Sequence, residues 1–121
     1  MTENKNLSGR SRGKSFSHAI NGIFELVKQE PNAKLHAVAT VGVIAAGVIR
    51  HISTWQWVAI FFAIALVWIT EALNTCIEKL CDFSCENKWD PAIKIIKDIA
   101  AAAVLIAAIV SVGIGVIVFF F

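Results

Sequence analysis

The sequence predicts an all-α membrane protein with an N-terminal amphipathic surface helix followed by three transmembrane helices. Of its 121 residues, 57% are hydrophobic and 17% are charged, whereas soluble domains carry about 25% charged residues. The 11 basic and nine acidic residues are also unevenly distributed: no Asp, Glu, Lys or Arg falls within residues 35–49, 51–70 or 99–121. Three uncharged stretches in a chain of one-domain length indicate a single membrane-embedded domain over residues 1–121.

The lengths of these stretches match the hydrocarbon core of a bilayer, which is about 30 Å thick. At a helical rise of about 1.5 Å per residue, residues 99–121 extend about 34 Å and residues 52–70 about 28 Å. Residues 35–49 extend only about 22 Å, so this span needs snorkelling by Lys34 and Arg50 or local thinning of the bilayer. The alternative, a soluble three-helix bundle, is disfavoured because its helices would need a charged face.

Basic residues predict the orientation of the chain. Six Lys or Arg precede the first span, and four lysines cluster between residues 79 and 97, whereas only Arg50 lies between the first and second spans. The positive-inside rule therefore places the N-terminus and the loop after the second span in the cytoplasm. The formal net charge is only +2, which gives no indication of a nucleic-acid partner.

The N-terminal region divides into two parts. Residues 1–13 are polar and contain two glycines, so we expect them to be flexible. In residues 15–29 the apolar positions recur at helical spacing, which predicts an amphipathic helix in the interfacial layer of the membrane. The same pattern also fits a fourth helix packed against the spans. Pro31 ends this helix and disfavours helical geometry at Glu30, which places Glu30 at a turn near the membrane surface.

The three membrane helices are predicted over residues 34–50, 54–82 and 91–121. Trp55 and Trp57 are typical interfacial anchors at the start of the second helix. Asp90 and Pro91 are typical of the N-cap and the first position of a helix. They therefore mark the start of the third.

An acidic strip lies on the second membrane helix. It consists of Glu71, Asn74, Glu78 and Asp82. At about 100° per residue, the last three lie about −60°, −20° and +20° from the first, so all four share one face. A carboxylate that faces lipid is costly, so the strip must face a bundle interior, a wet cavity or a bound cation. The alternative, a solvated helix face, fits Asp82 but not Glu71, because the apolar residues 67–69 lie just before it.

The start of the third membrane helix carries Lys94, Lys97 and Asp98, which share a face at the spacing i, i+3, i+4. Lysines near carboxylates suggest a phosphate bound through a metal, because Mg²⁺ is usually held by one or two carboxylates together with phosphate oxygens. The alternative is a simple ion pair between Lys94 and Asp98. The sequence has no P-loop and no protein-kinase motif, so a nucleotide site would be of another kind.

Four segments carry most of the polar residues discussed so far. They are Ser15-Phe-Ser-His-Ala-Ile-Asn-Gly-Ile23, Glu30-Pro-Asn32-x-x-x-His36-Ala, Glu71-x-x-Asn74-Thr-x-Ile-Glu78-x-x-x-Asp82 and Lys97-Asp98-x-Ala-Ala-x-x-Val104-Leu. Together they resemble the prokaryotic diacylglycerol kinase family, which includes the undecaprenol kinases of Gram-positive bacteria. The resemblance covers residues 15 to 108, and the segment from Glu71 to Glu78 is its specific part.

The resemblance implies roles for individual residues. Glu71 matches the catalytic base of the family, and Asn74 matches an active-site amide near it. The residues that match nucleotide-binding positions are His18, Glu30, Glu78, Lys97 and Asp98. Of these, Glu30 and Glu78 match ligands of Mg²⁺. The chain departs from the family at residues 88–91, where Lys-Trp-Asp-Pro replaces the common Glu-Tyr-His-Pro, and this charge reversal at Lys88 concerns the adenosine side of the site.

The resemblance also implies an activity, which is the Mg²⁺-dependent transfer of the ATP γ-phosphate to the primary hydroxyl of diacylglycerol or undecaprenol. It implies a homotrimer in the bacterial inner membrane with the active site on the cytoplasmic side. Two other classes remain open: a proton-coupled transporter subunit that uses Glu71 as a carrier, and a structural subunit whose acidic strip binds a partner. A carrier is disfavoured because Glu71 is predicted at the cytoplasmic edge of its span and not near the midplane.

Overall fold

The computed structural model describes residues 9–121, with side-chain environments from residue 12 onward. Apart from short connections, this part of the chain is helical and contains no strand. The helices are α1 (Gly9–Gln29), α2 (Pro31–Arg50), α3 (Thr54–Ser84) and α4 (Pro91–Phe120). Of these, α2, α3 and α4 are long and apolar enough to cross a membrane. The prediction of an all-helical protein with three candidate membrane spans is therefore confirmed.

The first helix begins earlier than the sequence predicts. Residues 1–8 of the segment expected to be flexible lie outside the described part of the chain, but residues 9–13 are helical and belong to α1. Elongation of an existing helix adds one hydrogen bond for each residue that becomes ordered, which offsets the low helix propensity of Gly9 and Gly13. Along α1, large apolar side chains are exposed at Phe16, Ile20, Ile23 and Phe24.

The connections between helices are closed by local hydrogen bonds. Glu30 separates α1 from α2 and is extended, with φ −103° and ψ 115°, as expected for a residue before proline. Its amide donates to the Leu26 carbonyl at 3.0 Å. The carboxylate of Asp90 accepts a hydrogen bond from the Ala92 amide at 2.8 Å, which confirms the predicted N-cap. α2 begins at Pro31 and not at residue 34, because proline fits the first turn of a helix.

α3 and α4 form the main antiparallel pair of the structure. Ala63, Ala100 and Ala107 are buried in it, and the Ser111 hydroxyl donates to the Ala63 carbonyl at 3.1 Å. Close approach through small residues and hydrogen bonds between helices are typical of helices in membranes. With 31 residues, α3 extends about 46 Å and is longer than the hydrocarbon core of a bilayer.

Candidate active site

Glu71 lies in the interior of the protein, on α3, with 1% of its surface exposed. Its Oε2 atom lies 3.3 Å from the Nε2 atom of His36 on α2. Burial of a carboxylate costs several kcal/mol unless polar partners replace the lost water. A solvated helix face therefore does not describe Glu71, whose position requires a partner or a ligand.

The remaining residues of the acidic strip become more exposed along α3. Asn74 is 8% exposed, and its Nδ2 atom donates to Oε1 of the half-buried Glu78 at 3.2 Å. Near the end of the helix, Oδ1 of Asp82 accepts a hydrogen bond from Nζ of Lys97 at 2.5 Å. The strip therefore leads from a buried carboxylate to an ion pair that water can reach.

Three buried side-chain oxygens of α3 have no hydrogen-bond partner among the described residues. They are Glu71 Oε1, Asn74 Oδ1 and Thr75 Oγ1. On the helix, Asn74 and Thr75 flank Glu71 at about −60° and +40°. Each buried polar atom without a partner costs about 1–3 kcal/mol, and a cluster of them calls for a ligand, an ion or water. The cluster is therefore a candidate binding site for a hydroxyl group or a cation.

His36 belongs to a polar network that joins α2 to α3. The Thr40 hydroxyl donates to the His36 carbonyl at 2.7 Å and accepts a hydrogen bond from Nε1 of Trp68 at 2.9 Å. The His36 and Trp68 rings meet edge to face, with their centroids 6.3 Å apart. Sequence patterns assign neither His36 nor Thr75 to the site. Polar residues four positions apart on the apolar α2 are nevertheless a signal of polar contact within a membrane.

A polar groove of about 420 Å³ lies where α3 ends and α4 begins. Its charged lining residues include Asp82, Lys88, Lys94, Lys97 and Asp98. Lys97 binds Asp82 as described, and Nζ of Lys94 lies 2.6 Å from Oδ2 of Asp98, so the predicted alternative of an ion pair at this position is confirmed. All four side chains are at least 36% exposed, and exposed ion pairs contribute little to stability because water screens them. Both pairs can therefore open to bind a charged ligand.

The structure does not bring all the predicted site residues together. His18 is exposed on α1, and Glu30 is half-buried where α1 meets α2. Within residues 12–121, no three His, Cys, Asp or Glu side chains form a group able to hold a metal ion. The donor atoms present still suit Mg²⁺, because the Glu78 carboxylate and the partnerless amide oxygen of Asn74 are hard oxygen ligands. Mg²⁺ also commonly keeps several waters and phosphate oxygens.

A second groove, of about 300 Å³, is lined almost entirely by apolar side chains of α2, α3 and α4. Its walls include Val43, Ile60, Val67, Ala108 and Val112. His36, the partner of Glu71, also lines this groove. The groove therefore reaches the ring that contacts the buried carboxylate, and its volume and polarity suit a hydrocarbon chain.

Comparisons with known proteins agree with these features. The profile of the prokaryotic diacylglycerol kinase family matches residues 17–119. An undecaprenol kinase of Bacillus subtilis (strain 168) is 39% identical over 106 residues, which cover 88% of this chain and 85% of that protein. A diacylglycerol kinase of Synechocystis is 34% identical over 101 residues, which cover 84% of this chain and 58% of that protein. No solved structure gives a significant match. Since the matches extend over most of its length, the chain belongs to the prokaryotic diacylglycerol kinase family, a family of lipid kinases.

Proposed function

We propose that the chain uses ATP and Mg²⁺ to phosphorylate the primary hydroxyl of a membrane lipid, either diacylglycerol or undecaprenol. The observation that carries this proposal is the buried carboxylate of Glu71, which has one oxygen without a partner beside a groove suited to a hydrocarbon chain. Family membership supports the kinase activity. The surroundings of Glu71 support a lipid as the phosphate acceptor.

On the acceptor side, Glu71 binds the lipid hydroxyl. With the hydrocarbon chain in the apolar groove, which His36 lines, the hydroxyl enters the polar cluster around Glu71. There it donates its hydrogen to Oε1, which has no partner among the described residues. Removing or orienting this proton makes the lipid oxygen a better nucleophile. Asn74 and Thr75 offer further polar atoms that hold the hydroxyl in place. Positioning of this kind supplies much of the catalysis in phosphoryl transfer.

On the donor side, the polar groove at the start of α4 binds ATP. Lys97 and Asp98 exchange their exposed protein partners, Asp82 and Lys94, for contacts with the nucleotide. His18 contacts the nucleotide from α1. Because each existing ion pair contributes little to stability, this exchange costs little free energy.

The metal site would be formed by Glu30 and Glu78. When bound there, Mg²⁺ neutralises negative charge that develops on the transferred phosphoryl group. Asn74 links the two halves of the site, because its amide bonds Glu78 and its position lies one helical turn from Glu71. The donor and the acceptor therefore meet on a single face of α3.

Features of the surface support the proposed location, orientation and oligomeric state of the enzyme. α1 lies as an amphipathic helix in the interfacial layer of the bacterial inner membrane, which the exposed side chains of Phe16, Ile20 and Phe24 support. The distribution of basic residues supports a cytoplasmic N-terminus and active site. A homotrimer is supported by small residues on α4 such as Gly113, which leaves room for the close approach of a neighbouring helix.

We expect undecaprenol to be the faster-reacting lipid. The Bacillus subtilis undecaprenol kinase shares more identity with this chain, and matches over a larger share of its own length, than the Synechocystis diacylglycerol kinase. The apolar groove itself discriminates little, because prenyl and acyl chains are both hydrocarbons.

Incubation of the purified protein with γ-labelled ATP and Mg²⁺ in detergent micelles tests the proposal. Undecaprenol and diacylglycerol are supplied in parallel samples, and a chelator replaces Mg²⁺ in a third. Label should enter the lipid fraction, faster with undecaprenol, and the chelator should abolish it. A proton-coupled transporter subunit or a purely structural subunit would leave both lipids unlabelled.

A further inference from the structure

Among the described residues, the carboxylate of Glu71 has a single hydrogen-bond partner, the Nε2 atom of His36 at 3.3 Å. The Glu71 side chain is 2% exposed and the His36 side chain is 19% exposed. An ionised carboxylate can only accept hydrogen bonds, so the imidazole donates its Nε2–H to Oε2. The second oxygen, Oε1, is left without a partner. The two oxygens of one buried carboxylate are therefore in different environments.

His36 belongs to a network with groups one helical turn away on both helices. Thr40, four residues after His36 on α2, accepts the Nε1–H of Trp68, three residues before Glu71 on α3. The same hydroxyl donates to the His36 carbonyl, and the His36 ring packs against the Trp68 ring. Hydrogen bonds and ring contacts between the two helices restrict the side chains of Thr40, Trp68 and His36 to a small number of conformations. The Trp68 ring, which Thr40 holds in place, thereby limits the orientations of the His36 ring beside Glu71.

Stabilisation of the carboxylate comes from α2. α4 packs along α3 but carries no charged side chain after Asp98. On α3 itself, the polar side chains near Glu71 that form hydrogen bonds are committed elsewhere. Thr70 donates to the carbonyls of its own helix, Trp68 donates to Thr40, and Asn74 donates to Glu78. Among the described residues, His36 is thus the group that replaces part of the lost hydration of Glu71.

We infer that His36 is a positioning residue for the kinase reaction, which holds Oε2 of Glu71 so that Oε1 faces the lipid hydroxyl. This inference rests on the proposed function, in which Glu71 accepts the hydroxyl proton. In that step the lipid oxygen bonds to the γ-phosphorus, the bond from phosphorus to the β,γ-bridging oxygen breaks, and ADP leaves. The proton moves to Glu71 Oε1 and is later released to water, while His36 keeps its Nε2–H.

Substitution by glutamine and by asparagine separates this role from a packing role. The terminal nitrogen of glutamine is four bonds from Cα, as is Nε2 of histidine, so His36→Gln keeps a donor within reach of Glu71. The asparagine amide is one bond shorter, and His36→Asn leaves Oε2 without its donor. We expect kcat to fall about ten- to hundredfold in His36→Asn and to stay within about threefold of the parent in His36→Gln. The KM for Mg·ATP should change by less than about twofold in both.

Combination of His36→Asn with Glu71→Gln tests whether His36 acts through Glu71. If it does, His36→Asn lowers turnover no further in the Glu71→Gln background. All turnover values are normalised to the folded fraction, which is measured by thermal unfolding in detergent. His51→Asn, at the opposite end of α2, is the control and should behave as the parent.

The results distinguish failure of this inference from failure of the proposed function. A parent protein that labels no lipid overturns the proposed function, and this inference with it. An active parent with an equally active His36→Asn variant overturns this inference alone. A loss of turnover that glutamine fails to restore, or one that adds to the effect of Glu71→Gln, points to packing and also overturns it.

Discussion

The two ends of the helix bundle differ in how their polar groups are satisfied. At the end formed by the α2–α3 connection and the C-terminus, the Arg50 guanidinium donates to the Phe119 carbonyl at 3.1 Å. The Gln56 side chain donates to the Val118 carbonyl at 3.4 Å. Ser53 and Gln56 also form a capping box at the start of α3. We refer to these five residues as the capped end.

At the other end, around Glu71, three buried oxygens have no hydrogen-bond partner in the described part of the chain. The absence of a partner for a buried oxygen lowers the stability of the fold. Proteins usually break such local rules at functional sites. Polar groups in this apolar bundle therefore serve two separate purposes. Those at the capped end stabilise helix ends, and those around Glu71 are available to a ligand.

Replacement of Glu71 by glutamine should have the largest effect on kcat of the substitutions considered. The amide cannot accept the hydroxyl proton, so kcat should fall about a thousandfold or more, while the KM for Mg·ATP stays within about threefold.

Glu78→Gln should act differently and raise the KM for Mg·ATP about tenfold, because Glu78 lies on the donor side. Labelling rates at varied ATP concentration measure both quantities.

Glu25→Gln provides the matched control for these changes. Glu25 is exposed on α1 and accepts a hydrogen bond from Gln29, away from the polar network around Glu71. Its substitution should leave kcat and KM unchanged. Near-normal turnover of Glu71→Gln would show that the base has been assigned to the wrong residue.

The sequence predicts this site well along a single helix. Helical periodicity alone places Glu71, Asn74 and Glu78 on one face of α3, because the angle between residues is a fixed property of the helix. Helix ends are also predictable, because a cap such as that of Asp90 depends only on residues that are close in the sequence.

Pairing between helices could not be predicted in the same way. The contact of His36 with Glu71 and that of Lys97 with Asp82 depend on how far each helix is shifted and rotated against its neighbour. Apolar faces constrain these two quantities weakly, since many registers bury similar surfaces. The early start of α1 at Gly9 was also unpredictable, because helix elongation over polar residues leaves no hydrophobic pattern.

The second prediction concerns Glu30 and tests whether the start of α2 belongs to the site around Glu71. Glu30→Ala should raise the Mg²⁺ concentration for half-maximal activity about tenfold or more, which corresponds to a ligand worth at least about 1.4 kcal/mol. A Mg²⁺ titration of the labelling rate measures the shift. Glu25→Ala, on exposed α1, is the control, and coincident curves for Glu30→Ala and the parent would remove Glu30 from the metal site.

The third prediction concerns the capped end and has the smallest expected effect. Gln56→Ala removes the hydrogen bond to the Val118 carbonyl and one part of the capping box, so the free energy of unfolding should fall by about 1 kcal/mol. In thermal unfolding this corresponds to a decrease in Tm of about 3–6 °C.

The turnover of each folded molecule of Gln56→Ala should equal that of the parent, because Gln56 has no contact with the network around Glu71. Glu71→Gln should have the opposite effect. It removes the charge of a buried carboxylate whose Oε1 atom has no hydrogen-bond partner among the described residues, so Tm should stay unchanged or rise. Gln56→Ala should thus lose stability and keep its activity, whereas Glu71→Gln should lose activity and keep its stability. A fall in the turnover of folded Gln56→Ala would show instead that the two ends are coupled through α3, and the capped end would then need a place in the mechanism.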